Sequence, residues 1–198
     1  EAHFAEKHGP AASAGWAPQR RVRSGYFTPS DKYEALLDRL VEPSTQWLDV
    51  GGGHQIFPDH PRLAQRLAER CQRLVAVDPS PNVLDHPLAH ERVQAMLEDY
   101  APDEPFDLAS MRMVVEHVAD PAAFTAALSR LLRSGGLAVV LTVDRFAPLS
   151  LLAKASPFGL HHPIKRLVWG GEERDTFPVQ YRMNTLSELR RRFDEAGF

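Results

Sequence analysis

The chain has 198 residues, 43% hydrophobic and 25% charged, which is enough for one domain with a substantial core. A formal net charge of −3 excludes a global positive field of the kind that attracts nucleic acid, and no run of about 18 apolar residues is present to cross a membrane. The single cysteine, Cys71, excludes an intrachain disulfide framework. Together with the lack of a signal-peptide layout at the start, it predicts a cytoplasmic protein.

The first part of the chain predicts an arm followed by a helix. Residues 1–27 are mostly small or polar, and we expect an arm that is loose or that orders over a ligand. A helix start follows, with Thr28 as the cap, Pro29 at the first helical position and Asp31 in the first turn. Apolar residues then recur at helical spacing, and Pro43 is expected to end the helix.

Strands and helices alternate through the middle of the chain. Short apolar runs between turn signals predict five strands, at residues 47–50, 74–77, 93–97, 106–111 and 137–143. One helical pattern covers 63–70, and another starts at Pro121 and is capped by Gly135 and Gly136. Unbroken apolar strands are typical of a parallel sheet buried on both faces. The alternation predicts a three-layer, Rossmann-like, doubly wound α/β fold with a mostly parallel sheet.

The alternation stops after Val143. The following residues combine prolines and glycines with His161, His162 and Trp169, and an irregular segment of this length is usually a lid or a binding element. We therefore predict a lid-like insertion at about 146–182, within a domain that spans 28–198 and ends in a further helix.

A glycine-rich turn, residues 49–53, follows the first predicted strand. Glycines let the backbone turn sharply and let a ligand approach the main chain, and open α/β sheets bind ligands at this edge. The dinucleotide pattern Gly-x-Gly-x-x-Gly fails because Ile56 occupies the third glycine position, and no Gly-Lys-Ser/Thr follows for a phosphate loop. The turn favours a nucleoside ligand without a pyrophosphate; an ordinary strand-to-helix turn is the alternative.

Asp78 ends the second predicted strand and is followed by Pro79. A carboxylate at this position can accept hydrogen bonds from both hydroxyls of a ribose. An Asp-Pro pair is also an ordinary strand stop, but its place one helix after the glycine-rich turn indicates a nucleoside site.

Taken in order, these motifs resemble the class I S-adenosylmethionine-dependent methyltransferases. Residues 49–53 resemble the first motif of that family and 74–78 the second. Residues 106–108, with 116–118 downstream, are similar to the fourth-strand region of the small-molecule branch, which includes quinone-biosynthesis enzymes. Residues 131–137 resemble the turn before the fifth strand.

The resemblance implies S-adenosylmethionine as the cofactor, and from the residues themselves we expect no metal. The residues that it implies as cofactor contacts follow the first four strands: Asp49, Gly51, Gly52 and Gly53 for the methionine part, Asp78 and Pro79 for the ribose, Leu97 and Glu98 for the adenine, and Ser110, Met111 and Arg112 beneath the sulfonium. Met96 stands where the family often has an aspartate for the adenine amine, so either Glu98 replaces that aspartate or no side chain does.

The predicted function is methyl transfer by in-line displacement to an O, N, S or C atom of a small-molecule acceptor. His117 is a candidate catalytic base for a hydroxyl acceptor, and its alternative is a structural role in a helix. On position alone, further candidate acceptor contacts are Tyr26, His161, His162, Arg174, Asp175 and Tyr181. His86 and His90 have a metal-ligand spacing only if they lie on a helix, and Pro87 favours a turn.

Three other functions stay open on the sequence. One is a nicotinamide-dependent oxidoreductase on a similar sheet, and another is a non-catalytic sensor or scaffold that binds S-adenosylmethionine. A nucleic-acid methyltransferase would need a basic face beside the cofactor. The family's sheet usually has two more strands than this chain supplies. We expect the sheet to continue past Phe198, or the fifth strand to be an edge that a second copy covers in a homodimer.

Overall fold

The computed structural model describes residues 5–7, 27–146 and 179–198. In chain order the elements are α1 (Pro29–Leu40), β1 (Gln46–Val50), α2 (Pro61–Arg70), β2 (Arg73–Asp78), β3 (Glu91–Gln94), β4 (Phe106–Arg112), α3 (Pro121–Leu131), β5 (Leu132–Leu141) and α4 (Leu186–Glu195). Short 3-10 turns cover Pro81–Asp85, Leu97–Asp99 and Val115–His117. Most of the predicted arm and lid lies outside the described residues, including Tyr26, His161, His162, Trp169, Arg174 and Asp175.

The five strands form one parallel sheet in the order β3-β2-β1-β4-β5. Helices cover both faces. Trp47 of β1 faces Leu37 of α1 and Leu67 of α2, whereas the neighbouring Leu48 faces the opposite layer with Leu128 of α3. Since side chains alternate along a strand, a strand covered on both faces must be apolar throughout. The predicted three-layer fold is confirmed.

None of the helices in the described ranges is long and apolar enough to span a membrane.

Helix α1 begins with a capping box, as its sequence predicts. The Thr28 hydroxyl oxygen accepts from the Asp31 amide (3.1 Å), and the Asp31 carboxylate accepts from the Thr28 amide (2.9 Å). Burial by itself would raise the pKa of Asp31, but the Thr28 hydrogen bonds and the Lys7 ammonium hold it below its ordinary value. The helix ends at Leu40, and Val41 is already extended. The predicted end at Pro43 is therefore within three residues of the observed one.

The predicted third strand is present, but its predicted bounds, 93–97, were wrong. Strand β3 covers Glu91–Gln94, and residues Leu97–Asp99 fold into a 3-10 turn instead. The physical reason is packing, because this turn places the Leu97 side chain in the core between the sheet and α3.

The predicted boundary between α3 and β5 was also wrong. Helix α3 ends at Leu131 rather than at Gly135 and Gly136, because Leu132 is already extended and pairs with Phe106 of β4. Strand β5 therefore starts earlier than residue 137, and the glycines lie inside it at a register shift. Gly135 has φ of +79°, a conformation that favours glycine.

Lys7 of the N-terminal arm binds α1 beside the glycine-rich turn. The Lys7 ammonium donates to Asp31 (3.1 Å) and to Glu34 (2.7 Å) of α1, and all three side chains are at most 5% exposed. Glu34 also contacts Nδ1 of His60, just before α2 (3.1 Å). This buried ion network fixes the arm at the helix ends that border the carboxyl edge of the sheet.

We expect Lys7→Met to lower the free energy of unfolding by about 3 kcal/mol, because removing one partner of a buried ion pair leaves charge uncompensated. Lys32→Met on the exposed side of α1 is the control, with a change below about 0.5 kcal/mol. Urea unfolding at pH 7 measures both, and equal values for the two variants would contradict the buried network.

Candidate cofactor site

The carboxyl ends of β1, β2 and β4 meet at one edge of the sheet. Asp49 of β1 is aligned with Ala76 of β2 on one side and with Ser110 of β4 on the other. The turn after β1 is tied to β2, because the Gly51 amide donates to the Val77 carbonyl (2.8 Å). Strand order reverses between β1 and β4, which is where open α/β sheets form their ligand crevice.

At each glycine of the turn, a side chain would either meet a close contact or strain the backbone. Gly51 has φ of +68°, and a Cβ there would overlap the Val114 side chain. A Cβ on Gly52 would lie 3.0 Å from the Ala76 Cβ and 3.1 Å from Oδ2 of Asp49. Gly53 has φ of +46°. The turn is therefore a backbone cradle without side chains.

Asp78 holds this cradle against the end of β2. Its Oδ2 accepts from the Gly53 amide (3.0 Å), and its Oδ1 accepts from the Ser80 amide (2.7 Å). A carboxylate oxygen can accept more than one hydrogen bond. A diol bound here would meet a carboxylate that is already oriented by the protein.

Asp49 is the most deeply buried charge-bearing group of the site. Its Oδ1 accepts from the Ser110 hydroxyl (2.6 Å), and the Ser110 oxygen accepts from Nε1 of Trp47 (2.8 Å). Burial, opposed by the Ser110 hydrogen bond and the Arg112 charge and assisted by the negative charge of Asp78, gives Asp49 a raised pKa of about 7. A cation that approached Asp49 would favour its ionised form.

The other predicted cofactor contacts divide into two groups. Ser110 is completely buried and its hydroxyl faces Asp49, while the half-buried Arg112 is close enough to act on Asp49 through its charge. The side chains of Met111 and Leu97 pack in the core between the sheet and α3, so these residues face the crevice only through their backbone. Pro79, exposed, and Glu98, half-buried, follow β2 and β3 at the same edge.

A second polar cluster lies where β4 and β5 end. The Thr142 hydroxyl donates to the buried Glu116 carboxylate (2.8 Å) and accepts from the Asn184 side-chain amide (2.7 Å). The Glu116 carbonyl accepts from the amides of Gln180 (2.7 Å) and Tyr181 (3.1 Å). These bonds join the turn after β4 to the last residues of the predicted lid and to Asn184, which follows it.

His117 lies at the end of the same turn and is half-buried. It follows Glu116 directly, so the buried cluster fixes its backbone at the carboxyl edge of the sheet. The turn is a 3-10 turn and not an α-helix. The alternative to a catalytic role for His117, a structural role in a helix, therefore assumed the wrong local structure.

His86 and His90 do not lie on a helix. Nδ1 of His86 accepts from the amides of Leu88 (3.2 Å) and Ala89 (2.9 Å), as expected for a turn at Pro87. Nδ1 of His90 accepts from the Leu74 amide (3.0 Å). Burial lowers the pKa of His86 to about 4, which fits a neutral imidazole that accepts from the backbone.

Sequence reasoning missed four residues that shape the site: Tyr33, Trp47, Thr142 and Asn184. One signal was available, because Trp47 and Asp49 are two residues apart on a strand and so share a face. The contact of Thr142 with Asn184 spans the predicted lid, and the approach of Tyr33 to β4 depends on how α1 packs. Neither leaves a local pattern in the sequence.

The pKa of Asp49 predicts a pH-dependent stability. An ordinary aspartate titrates near 3.9, and this one titrates near 7 in the folded chain. Between these values the unfolded chain ionises first, so stability falls as the pH rises from about 4 to 7 and is then level. Asp49→Asn removes the charge, and we expect it to gain roughly 3 to 4 kcal/mol over the wild type by pH 8.

Urea unfolding of both proteins at pH 4.5, 6 and 8 measures this gain. Asp59→Asn, at an exposed position before α2, is the matched control and should show no comparable trend. A constant difference between Asp49→Asn and the wild type across the three pH values would contradict the raised pKa.

Known proteins resemble this chain over most of its length. A family profile described as a methyltransferase domain matches residues 20–198. A ubiquinone biosynthesis O-methyltransferase from Xylella fastidiosa is 26% identical over 159 residues, which cover 75% of this chain and 62% of that protein. The chain thus spans about three fifths of the length of this curated relative.

Solved structures show the same fold. The YcgJ protein from Bacillus subtilis has a TM-score of 0.57 at 20% identity, over 83% of this chain and 67% of that one. The cyclopropane synthase MmaA2 from Mycobacterium tuberculosis has a TM-score of 0.57 at 17% identity, over 99% and 75% of the two chains. Because the family profile covers every helix and strand of the sheet domain, the chain belongs to the methyltransferase domain family.

Proposed function

We propose that this protein transfers a methyl group from S-adenosylmethionine to a small-molecule acceptor by in-line displacement. The observation that carries the proposal is the hydrogen bond from the Gly53 amide to the Asp78 carboxylate (3.0 Å). It joins a side-chain-free turn to an oriented acidic group, with neither a dinucleotide nor a phosphate-loop sequence. Family membership and the methyltransferase name of the Xylella relative support the same activity.

The residues present fit this cofactor. The backbone from Gly51 to Gly53 leaves room for the methionine part, and the buried Asp49 offers a carboxylate to its ammonium group. The Asp78 carboxylate, which the Gly53 and Ser80 amides orient, would accept from the ribose hydroxyls. When bound, S-adenosylmethionine supplies an electrophilic methyl on a sulfonium. The contribution of the protein is then to orient the two reactants and exclude water, an effect that reaches about 7–11 kcal/mol in well-oriented systems.

The acceptor side of the site is proposed to lie beside Glu116 and His117. The Glu116 cluster anchors the end of the predicted lid and the residue Asn184 to the turn carrying His117. We propose His117 as the base for a hydroxyl acceptor, since a positioned imidazole removes a proton near neutral pH. An amine or thiolate acceptor would need no strong base.

Two properties of the whole protein belong to the same proposal. Cys71 is a buried free thiol, and burial raises its pKa to about 11, which is compatible with a reducing cytoplasm. Strand β5 is at the end of the strand order and exposes Leu137 (48%). A second copy of the chain, in a homodimer, is one candidate cover for that edge.

Calorimetric titration tests the cofactor. We expect S-adenosylhomocysteine, the demethylated product, to bind the wild type with micromolar affinity and Asp78→Ala at least tenfold more weakly, because a charge-assisted hydrogen bond contributes about 1.5–3 kcal/mol. Asp85→Ala, exposed in the 3-10 turn after β2, is the matched control and should bind like the wild type. Binding of NADH in place of the product would overturn the proposal.

Initial rates with a panel of phenols, amines and thiols test His117. For a hydroxyl acceptor we expect His117→Ala to lower kcat by about 10²–10⁴, the usual contribution of general base catalysis, with the affinity for S-adenosylhomocysteine unchanged. If affinity falls in parallel with kcat, His117 has a structural role and is not the base.

A further inference from the structure

The Tyr33 hydroxyl is a buried polar group without a hydrogen-bond partner. Tyr33 is 5% exposed, and among the described residues no atom lies in hydrogen-bond geometry with its oxygen. Leaving such a group unpaired costs about 1–3 kcal/mol. Unpaired buried groups are rare in folded proteins, so each one calls for a physical explanation.

The hydroxyl is directed at the cofactor site by the packing of its ring. The ring of Tyr33 meets the ring of Phe57 edge to face, with centroids 6.2 Å apart. Its hydroxyl lies near Ser110 but outside hydrogen-bond geometry. Burial and the Asp49 charge raise the pKa of the phenol, and they outweigh the opposing effects of Ser110 and Arg112. It therefore stays a neutral donor at any physiological pH.

The neighbours of Tyr33 form a chain of donors that ends on Asp49. Trp47 donates to Ser110, and Ser110 donates to Asp49. The Ser110 oxygen keeps one more lone pair, and a further donor there would polarise the chain toward the carboxylate.

Four groups act on Asp49 from three elements. Asp78 at the end of β2 repels its charge, Arg112 of β4 attracts it, Ser110 of β4 donates to it, and Tyr33 of α1 faces it. Among the described residues around Asp49, Tyr33 presents a buried hydroxyl that makes no hydrogen bond. The group is thus available for the state in which a cation ionises Asp49.

We propose that Tyr33 is a further positioning residue: its hydroxyl completes the Trp47–Ser110–Asp49 chain when the ammonium group of the cofactor binds the Asp49 carboxylate. The inference rests on the proposed function, because it needs that ammonium group. On binding, the neutral Asp49 carboxyl releases its proton to solvent, and the resulting carboxylate accepts the Ser110 bond while Tyr33 joins the chain. No covalent bond other than this O–H bond changes.

Tyr33→Phe tests the role with the loss of one oxygen atom. We expect S-adenosylhomocysteine to bind the variant about tenfold more weakly than the wild type at every pH from 5.5 to 8.5. The affinity of both proteins should rise with pH and level off near 7, because the pKa of Asp49 in the free protein is about 7 and Tyr33 makes no bond there. The melting temperature should be equal or higher, since an unpaired hydroxyl is removed.

Two comparisons sharpen the calorimetry. Ser110→Ala removes a bond already present in the free protein, so it should move the pH midpoint of binding upward, whereas Tyr33→Phe should leave the midpoint in place. 5′-Methylthioadenosine lacks the amino-acid part of the cofactor, and Tyr33→Phe should bind it like the wild type. Tyr100→Phe, half-buried beside Phe106, is the matched control for S-adenosylhomocysteine.

Three outcomes would overturn the inference. If the wild type binds S-adenosylhomocysteine normally and Tyr33→Phe binds it with unchanged affinity, Tyr33 has no positioning role. The proposed function is not affected by that result. A lower melting temperature in step with lower affinity assigns Tyr33 a role in the free fold instead. No binding by the wild type removes the proposed function, and this inference falls with it.

Discussion

Burial of the Asp49 carboxylate is the constraint on which the rest of the site depends. β1 lies in the middle of the sheet, so its last residues are surrounded by neighbouring strands and helices. A carboxylate there is costly to ionise, and the pKa of Asp49 is raised to about 7. The Ser110 hydroxyl and Trp47 fix its orientation, and Gly52 must lack a side chain because a Cβ would lie 3.1 Å from Oδ2.

The topology explains why these groups meet. In the order β3-β2-β1-β4-β5, strands β2 and β3 lie on one side of β1, and β4 and β5 lie on the other. The connections that follow β1 and β4 therefore leave the carboxyl edge of the sheet toward opposite faces. That divergence opens a crevice bordered by the glycine-rich turn and by Ser110. Asp78 closes one side through its bond with Gly53. The arm residue Lys7 secures the helices beside it through Glu34.

The sequence predicted the parts of this arrangement that local chemistry determines. The capping box at Thr28, the apolar strands, the glycine-rich turn and Asp78 each depend on neighbours close in the chain, and the structure has them where expected. The errors lie where tertiary packing decides. Leu97 turns into the core and shortens β3, and Leu132 pairs with Phe106 and starts β5 early despite the glycines that follow.

The polar interior of the site was beyond local patterns for a related reason. Tyr33 and Trp47 satisfy apolar periodicity with their rings, and periodicity contains no information about where their polar ends point. Trp47 donates to Ser110, which donates to Asp49. The Tyr33 hydroxyl lies near Ser110 and Asp49 because α1 packs on the same face of the sheet. Side chains of this kind have two separable effects: the ring stabilises the core, and the polar end acts on the buried charge.

This separation links stability to binding. In the free protein the buried Asp49 and the unpaired Tyr33 hydroxyl both disfavour the fold, and the apolar layers on both faces of the sheet compensate for them. A ligand ammonium would remove both unfavourable terms at once. The stability that the ligand-free protein lacks because of them would then add to the binding free energy of the ligand. Under this proposal, the two groups that are unfavourable in the free fold, the Asp49 carboxylate and the Tyr33 hydroxyl, are also the groups that contribute to ligand binding.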